Sequence, residues 1–149
     1  MKEIKGNIFD ITDADAICVT TNGVLDTQGA LVMGAGLALQ FKNKYTGIAV
    51  RLGKKVKQFG NHCHTDWVSF DSRTLVSVPT KEHWKDPSPM WLIERSAHEL
   101  AALADKHKWR KIVLPRLGTG LGGLKWEDVK AVISPILDDR FFVITPENN

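Results

Sequence analysis

Cysteine is scarce in this chain of 149 residues, with Cys18 and Cys63 its only two. That is too few for the disulfide framework on which small secreted scaffolds depend. Cys18 lies in an apolar run and reads as a small buried hydrophobe. Long apolar stretches are lacking too, and none approaches the ~20 residues of a membrane-spanning helix. The opening Met1-Lys-Glu-Ile-Lys5 has no signal-peptide core, which gives the expectation of a cytoplasmic protein without membrane contact. No repeat, linker or low-complexity segment interrupts the chain, so residues 1–149 are expected to form one domain. Metal-ligand spacing is missing: His62-Cys-His64 is cramped and has no partner pair elsewhere, so no metal is expected. Neither sign of charge dominates. A net charge of +3 permits an anionic ligand or a nucleic acid and requires neither. The clusters Lys42/Lys44, Lys54/Lys55/Lys57 and Lys106/Lys108/Arg110/Lys111 read as solvated faces.

What the chain does have is an alternation of strand and helix patterns. Ala16-Ile-Cys-Val-Thr20 reads as a fully buried strand. Helices are expected at about 37–44 and 48–58. Alternating segments at 67–70 and 74–78, with Asp71-Ser72-Arg73 between them, suit a hairpin. Residues 90–107 form the clearest helix, with Met90, Ile93, Ala97, Leu100, Ala101 and Ala104 on one face. A strand at 111–114 ends at Pro115. A helix then carries Trp126, Val129, Ile133, Ile136 and Leu137 on one side, and Pro135 should kink or end it early. Residues 140–145 form the last strand. This pattern predicts a three-layer α/β/α sandwich around a mixed, mostly parallel central sheet.

Ligands of such sheets bind at the carboxyl ends of strands. Three segments stand there: 21–36, 79–84 and 115–124. Two are glycine-rich and open helices, Gly29-Ala-Leu-Val-Met-Gly-Ala-Gly36 and Gly118-Thr-Gly-Leu-Gly-Gly123. Their N–H groups can grip a diphosphate from two sides, because glycine lets the backbone come close. Each glycine loop alone is also readable as a plain turn. Gly118, Gly120 and Gly123 match a dinucleotide fingerprint in form, but that fingerprint opens its domain and here only 26 residues follow Gly123. A phosphate-binding Gly-Lys-Ser/Thr loop is excluded, since Leu124 and Lys125 follow Gly123. Asn22 ends the buried strand, where its amide either meets a ribose hydroxyl or makes a turn with Gly23. In Pro79-Thr-Lys-Glu-His-Trp84, Lys81 is a candidate base or nucleophile, His83 a proton shuttle and Trp84 a stacking platform. The structural alternatives are a surface charge, a satisfied polar residue and a core or lid residue.

In this order, the segments resemble the macrodomain family over nearly the whole chain. Gly6-Asn-Ile8 resembles the family's opening Gly-Asp-Ile, and Asp15-Ala-Ile-Cys-Val-Thr-Thr-Asn22 its buried strand and asparagine. Met33-Gly-Ala-Gly-Leu-Ala38 and Pro115-Arg-Leu-Gly-Thr-Gly-Leu-Gly-Gly-Leu-Lys-Trp126 look like its two phosphate loops. Met33-Gly-Ala-Gly-Leu-Ala-Leu-Gln-Phe-Lys42 and Pro79-Thr-Lys-Glu-His-Trp-Lys85 are similar to the DarG antitoxin branch, which removes ADP-ribose from thymine in DNA. In the more distant animal terminal ADP-ribose glycohydrolases, the lysine of a Thr-Lys motif matching Lys81 does the chemistry.

The resemblance implies an ADP-ribosyl glycohydrolase with Lys81 and His83 as catalytic candidates and no cofactor, ADP-ribose being ligand or product. Adenine would lie at Asn7 and Ile8, and the distal ribose at Asn22. The first loop would contribute Met33, Gly34, Ala35 and Gly36, and the strand end Thr80. The second would contribute Gly118, Thr119, Gly120, Leu121 and Gly122. Trp84, Lys85 and Lys42 are the DNA-contact candidates. ADP-ribosylated DNA is the expected partner and ADP-ribosylated protein the further candidate. Two positions depart from the pattern: Asn7 replaces the adenine-recognising aspartate, and Gly122 stands where the animal branch has an aspartate, which fits the DarG-like form better. The alternatives are a non-catalytic ADP-ribose reader and a phosphatase acting on ADP-ribose 1″-phosphate. DarG proteins continue beyond their macrodomain, whereas this sequence stops at Asn149, giving the expectation of a domain that acts alone as a monomer.

Overall fold

The structure is a computed structural model that describes residues 1–147, the side chain of Phe70 excepted. The last two residues of the expected 1–149 domain lie outside the described residues. Six strands form one sheet: β1 (Lys2–Lys5), β2 (Ala16–Thr21), β3 (His64–Val68), β4 (Arg73–Pro79), β5 (Ile112–Pro115) and β6 (Phe141–Thr145). Their order is β1-β6-β5-β2-β4-β3, parallel throughout except for the antiparallel edge strand β3. The helices are α1 (Gly36–Lys44), α2 (Ile48–Phe59), α3 (Met90–His107) and α4 (Trp126–Ile133).

Side-chain alternation along the strands sorts these helices into two layers. Ala16 and Cys18 of β2 face a core shared with Ile93, Ala97 and Leu100 of α3 and Val129 and Ile133 of α4. Ile17 and Val19 face the other way, onto Phe41 of α1 and Ile48, Leu52 and Val56 of α2. Because both faces of β2 are covered, its run of apolar residues is continuous rather than alternating. Cys18 is fully buried, and burial pushes its thiol far up, so it stays neutral. These two packed faces give the sandwich that the sequence predicts. Among the described residues no helix is long and apolar enough to cross a membrane.

Several boundaries differ from expectation. β1 is an additional strand, made by parallel pairing of a charged segment with β6. β3 starts at His64, and residues 69–71 of the expected hairpin form a short 3-10 turn closed by Ser72 at φ 51°. α4 ends at Ile133, ahead of Pro135, while Leu137 beyond it still reaches the core.

Candidate functional site

The strand order decides where the loops meet. β2 lies between β4 and β5, so the chain turns from one side of β2 to the other, and a crevice opens at the carboxyl ends of these three strands. Parallel pairing of β2 with β4 continues past both strands through Thr80 N–H to the Thr21 carbonyl (3.0 Å) and Gly23 N–H to the Glu82 carbonyl (3.0 Å). The 22–24 and 80–82 segments therefore leave the sheet side by side.

The loop after β2 is braced from within. Asn22 Nδ2 donates to the Val32 carbonyl (3.0 Å), and Oδ1 accepts from Val24 N–H (2.9 Å). One N–H and one lone pair of the amide remain. The returning arm crosses α2 at Gly53, where a Cβ would lie 2.1 Å from the Gly29 carbonyl oxygen. Glycine inside a helix costs ~1 kcal/mol against alanine, and here it admits the loop. The arm ends in Gly34-Ala-Gly36 at the start of α1. Ala35 gives that helix no side-chain cap, and Gly36 enters it at φ 56°. The first-turn amides of a helix have no partner inside it, so those of Gly36, Leu37 and Ala38 are donors at the cleft wall.

The 118–122 loop closes the other side. Gly118 has φ 73°, and a Cβ there would lie 2.3 Å from Ile93 Cδ1; at Gly122 it would lie 2.4 Å from both the Gly118 carbonyl oxygen and Ser88 Oγ. The packing of the protein itself excludes side chains at these two positions. Gly34 and Gly120 behave differently: a Cβ on either meets nothing within 4 Å, and neither has positive φ.

Between these loops lies a cleft of about 660 Å³, within the usual range for small-ligand sites. The structure brings to its wall Asn22, Met33, Gly34, Ala35, Gly36, Thr80, Lys81 and Trp84. It adds Gly118, Thr119, Gly120, Leu121 and Gly122 from the second loop. A second hollow of about 720 Å³ holds Asn7, Ile8, Asp10, Gln40 and Glu147, and Leu37 lines both. Asn7 caps the short 3-10 turn Ile8–Asp10 by accepting from Phe9 N–H (2.9 Å), which uses one of the two lone pairs on its Oδ1.

Lys81 is held at its tip. Its Nζ donates to the carbonyls of Trp84 (3.0 Å) and Leu121 (3.2 Å), so one ammonium joins the 80s loop to the second glycine loop and keeps a third N–H. The rim residues on these two loops are strongly exposed, Trp84 at 52% and Leu121 at 79%.

Three candidates stand off the wall. His83 is turned to its own loop: Nδ1 accepts from Lys85 N–H (3.3 Å), and the ring packs on Trp84 at 5.1 Å between centroids. Lys85 and Lys42 are exposed and do not line the cleft. Arg116, a wall residue that the motif reading passed over, is the second cation there. Its guanidinium lies 5.0 Å from the Trp126 ring centroid and 3.7 Å from Glu3 Oε1. The available signal was a cation immediately after the last residue of a parallel strand. Among the residues lining the main cleft there is no carboxylate, so its charged groups favour an anion.

His62, Cys63 and His64 each have other work. His62 Nδ1 meets Glu99 (2.7 Å), Cys63 N–H donates to Glu99 (2.8 Å), and His64 Nε2 bonds to the Gly60 carbonyl (2.9 Å). Burial, then the Glu99 charge, pushes the Cys63 thiol well up and keeps it neutral.

The sequence model described as Macro domain matches residues 24–133, most of the chain. The chain belongs to this family. A DNA ADP-ribosyl glycohydrolase of Mycobacterium tuberculosis is 31% identical over 122 residues, covering 78% of this chain and 35% of the relative. One of Thermus aquaticus is 32% identical over 143 residues, covering 93% and 38%. The macrodomain thus spans about a third of the length of these relatives. The solved macrodomain of Mycobacterium tuberculosis DarG superposes with a TM-score of 0.82 at 29% identity, covering 96% of this chain and 95% of that one. Six strands, four helices and two glycine loops at one sheet end are therefore a macrodomain architecture.

Proposed function

We propose that this macrodomain binds ADP-ribose and hydrolyses the glycosidic bond that joins it to thymine in DNA, with Lys81 as the catalytic residue. The observation that carries the reading is the placement of Lys81, its ammonium bonded across to the second glycine loop, in a cleft whose lining has no carboxylate. The names of the relatives, DNA ADP-ribosyl glycohydrolases, support the substrate class.

The diphosphate takes the uncapped amides at the start of α1 and the backbone of the 118–122 loop. Gly34 and Gly120 fit this role, because neither clash nor dihedral explains glycine there and close approach of a ligand does. Arg116 adds charge to the same wall. The adenine end enters the second hollow, where Asn7 Nδ2 is a donor and Asp10 and Glu147 are acceptors. The distal ribose reaches Asn22 and Thr80, with its anomeric carbon toward Lys81. As the bond to the base breaks, positive charge grows on the ring, the base leaves with the bonding pair and takes a proton, and water supplies the oxygen. Fixing the diphosphate holds the sugar in a reactive pose, which can account for much of the acceleration. Lys81 donates to or accepts from the linkage at close range. Trp84, exposed on the rim, stacks on an extruded base, while Lys85 and Lys42 lie further out as contacts for the DNA backbone.

A reader that binds without turnover is the second reading, favoured by Gly122, where packing leaves no room for the carboxylate of the animal branch. A release assay on an oligonucleotide carrying thymine-linked ADP-ribose separates the two. Wild type is expected to release ADP-ribose and Lys81→Ala to release none, with equal ADP-ribose affinity by calorimetry. Binding by both with release by neither would establish the reader, and release of phosphate from ADP-ribose 1″-phosphate would move the activity to a phosphatase.

A further inference from the structure

We infer that Asn61, which lines neither hollow, is a positioning residue for Lys81. The inference rests on the proposed role of that lysine and concerns how it is held. Asn61 Nδ2 donates to the Lys81 main-chain carbonyl (3.1 Å). That bond fixes the root of a side chain whose tip is fixed by the Trp84 and Leu121 carbonyls. The Asn61 side chain also fills the space above Gly23, where a Cβ would lie 2.9 Å from its Cγ. It therefore touches both segments that leave β2 and β4 beside the cleft.

Asn61 is in turn tied to α3. Its own carbonyl accepts from Arg95 Nη2. Arg95 sits over the Trp91 ring (5.5 Å), with Nε 3.6 Å from Glu99 Oε2. Glu99 also takes Cys63 N–H and meets His62 Nδ1, which staples the segment after α2 to the same helix. Ser96 Oγ donates to the Pro79 carbonyl (2.6 Å), so α3 fixes the end of β4 two residues before Lys81 as well. The Trp91, Arg95 and Glu99 face of α3 thus reaches the Lys81 carbonyl through the one amide bond of Asn61, beside the direct Ser96 bond to the end of β4. The amide is the part that matters: an ionised aspartate has the same shape but only acceptors, and it would face the Lys81 carbonyl oxygen with a like partial charge.

The test compares wild type, Asn61→Asp and Asn61→Ala on the thymine-ADP-ribosylated oligonucleotide, with melting curves and ADP-ribose affinity alongside. Asn61→Asp keeps the packing over Gly23, so it serves even if the alanine variant folds poorly. The expected result is a kcat lowered roughly tenfold to hundredfold, since small misplacements of reacting groups cost on that order. KM and ADP-ribose affinity stay within about twofold. A wild-type kcat in Asn61→Asp would overturn the inference, as would parallel loss of kcat, affinity and melting temperature. Acetic anhydride labelling of Lys81, read by peptide mass spectrometry, needs no substrate and separates this inference from the proposed function. If wild type releases nothing from the oligonucleotide, a faster labelling of Lys81 in Asn61→Asp still sustains the positioning, and an unchanged rate refutes it.

Discussion

Two classes of glycine line the cleft, and alanine substitution should tell them apart. At Gly118 a methyl group must lie 2.3 Å from Ile93 Cδ1 with φ held at 73°. Left-handed backbone costs a non-glycine residue ~1–2 kcal/mol, and overpacking a core contact adds ~1–3 kcal/mol. Gly118→Ala should therefore lose about 2–5 kcal/mol, or roughly 4–20 °C of melting temperature for a domain of this size. At Gly34 and Gly120 the methyl group meets nothing within 4 Å and φ is not positive. Removing glycine freedom from the unfolded chain then stabilises by ~0.4–1 kcal/mol. The same methyl groups project into the ligand's space, so ADP-ribose affinity should fall at least about tenfold, or ~1.4 kcal/mol. Differential scanning calorimetry and isothermal titration on the three variants decide the matter. Wild-type affinity in Gly34→Ala and Gly120→Ala would refute the account of these glycines as ligand-facing. A melting loss equal to that of Gly118→Ala would refute the steric sorting itself.

Arg116→Gln should weaken ADP-ribose binding about tenfold and flatten its dependence on ionic strength, checked by titration at two salt concentrations. Arg51 pairs with the buried Asp66 through two bonds of 2.9 and 3.0 Å, and the bonded carboxylate pushes the arginine pKa further up. Arg51→Met should destabilise the fold by at most ~3 kcal/mol in chemical denaturation, below the full cost of stranding a charge because Arg51 is 43% exposed. Glu3 is held below the usual 4.5 by its bond to Lys130 and then by that to Trp126. Its contribution is present above pH ~4.5 and is lost as pH falls through the lower folded value. Glu3→Gln should accordingly reduce the melting temperature at pH 7 and matter progressively less as pH falls below ~4.5.

The parts of the fold that could be read from sequence are those whose patterning is fixed by burial. β2 is apolar on both faces because α1 and α2 cover one and α3 and α4 the other. α3 shows a clean apolar stripe because its opposite face meets water. β1 escaped because Lys2-Glu-Ile-Lys5 carries three charges and lies at a sheet edge, where only pairing with β6 makes it a strand. The first half of β3 escaped for a related reason. His64 and Asp66 look like loop residues but are buried, since the Gly60 carbonyl and Arg51 satisfy them. A polar strand is unreadable when its partners come from elsewhere in the chain.

The site divides along the same line. Segments 21–36, 79–84 and 115–124 could be placed together because each follows a parallel strand and two are rich in glycine. What each side chain does there depends on distant atoms. The sequence is equally compatible with His83 facing the cleft or its own loop, and the choice lies with Lys85 N–H and the Trp84 ring. It is silent on Asn7 Oδ1 accepting from Phe9 N–H, a bond that caps the short 3-10 turn beside the second hollow. Glycine content is likewise ambiguous until sterics are known. Gly53, Gly118 and Gly122 are required by neighbouring protein atoms, so their presence argues for a loop shape and nothing more. Gly34 and Gly120 are left unexplained by the protein alone, and that residue of unexplained backbone is the strongest local argument that a phosphate-bearing ligand comes within contact distance of both loops.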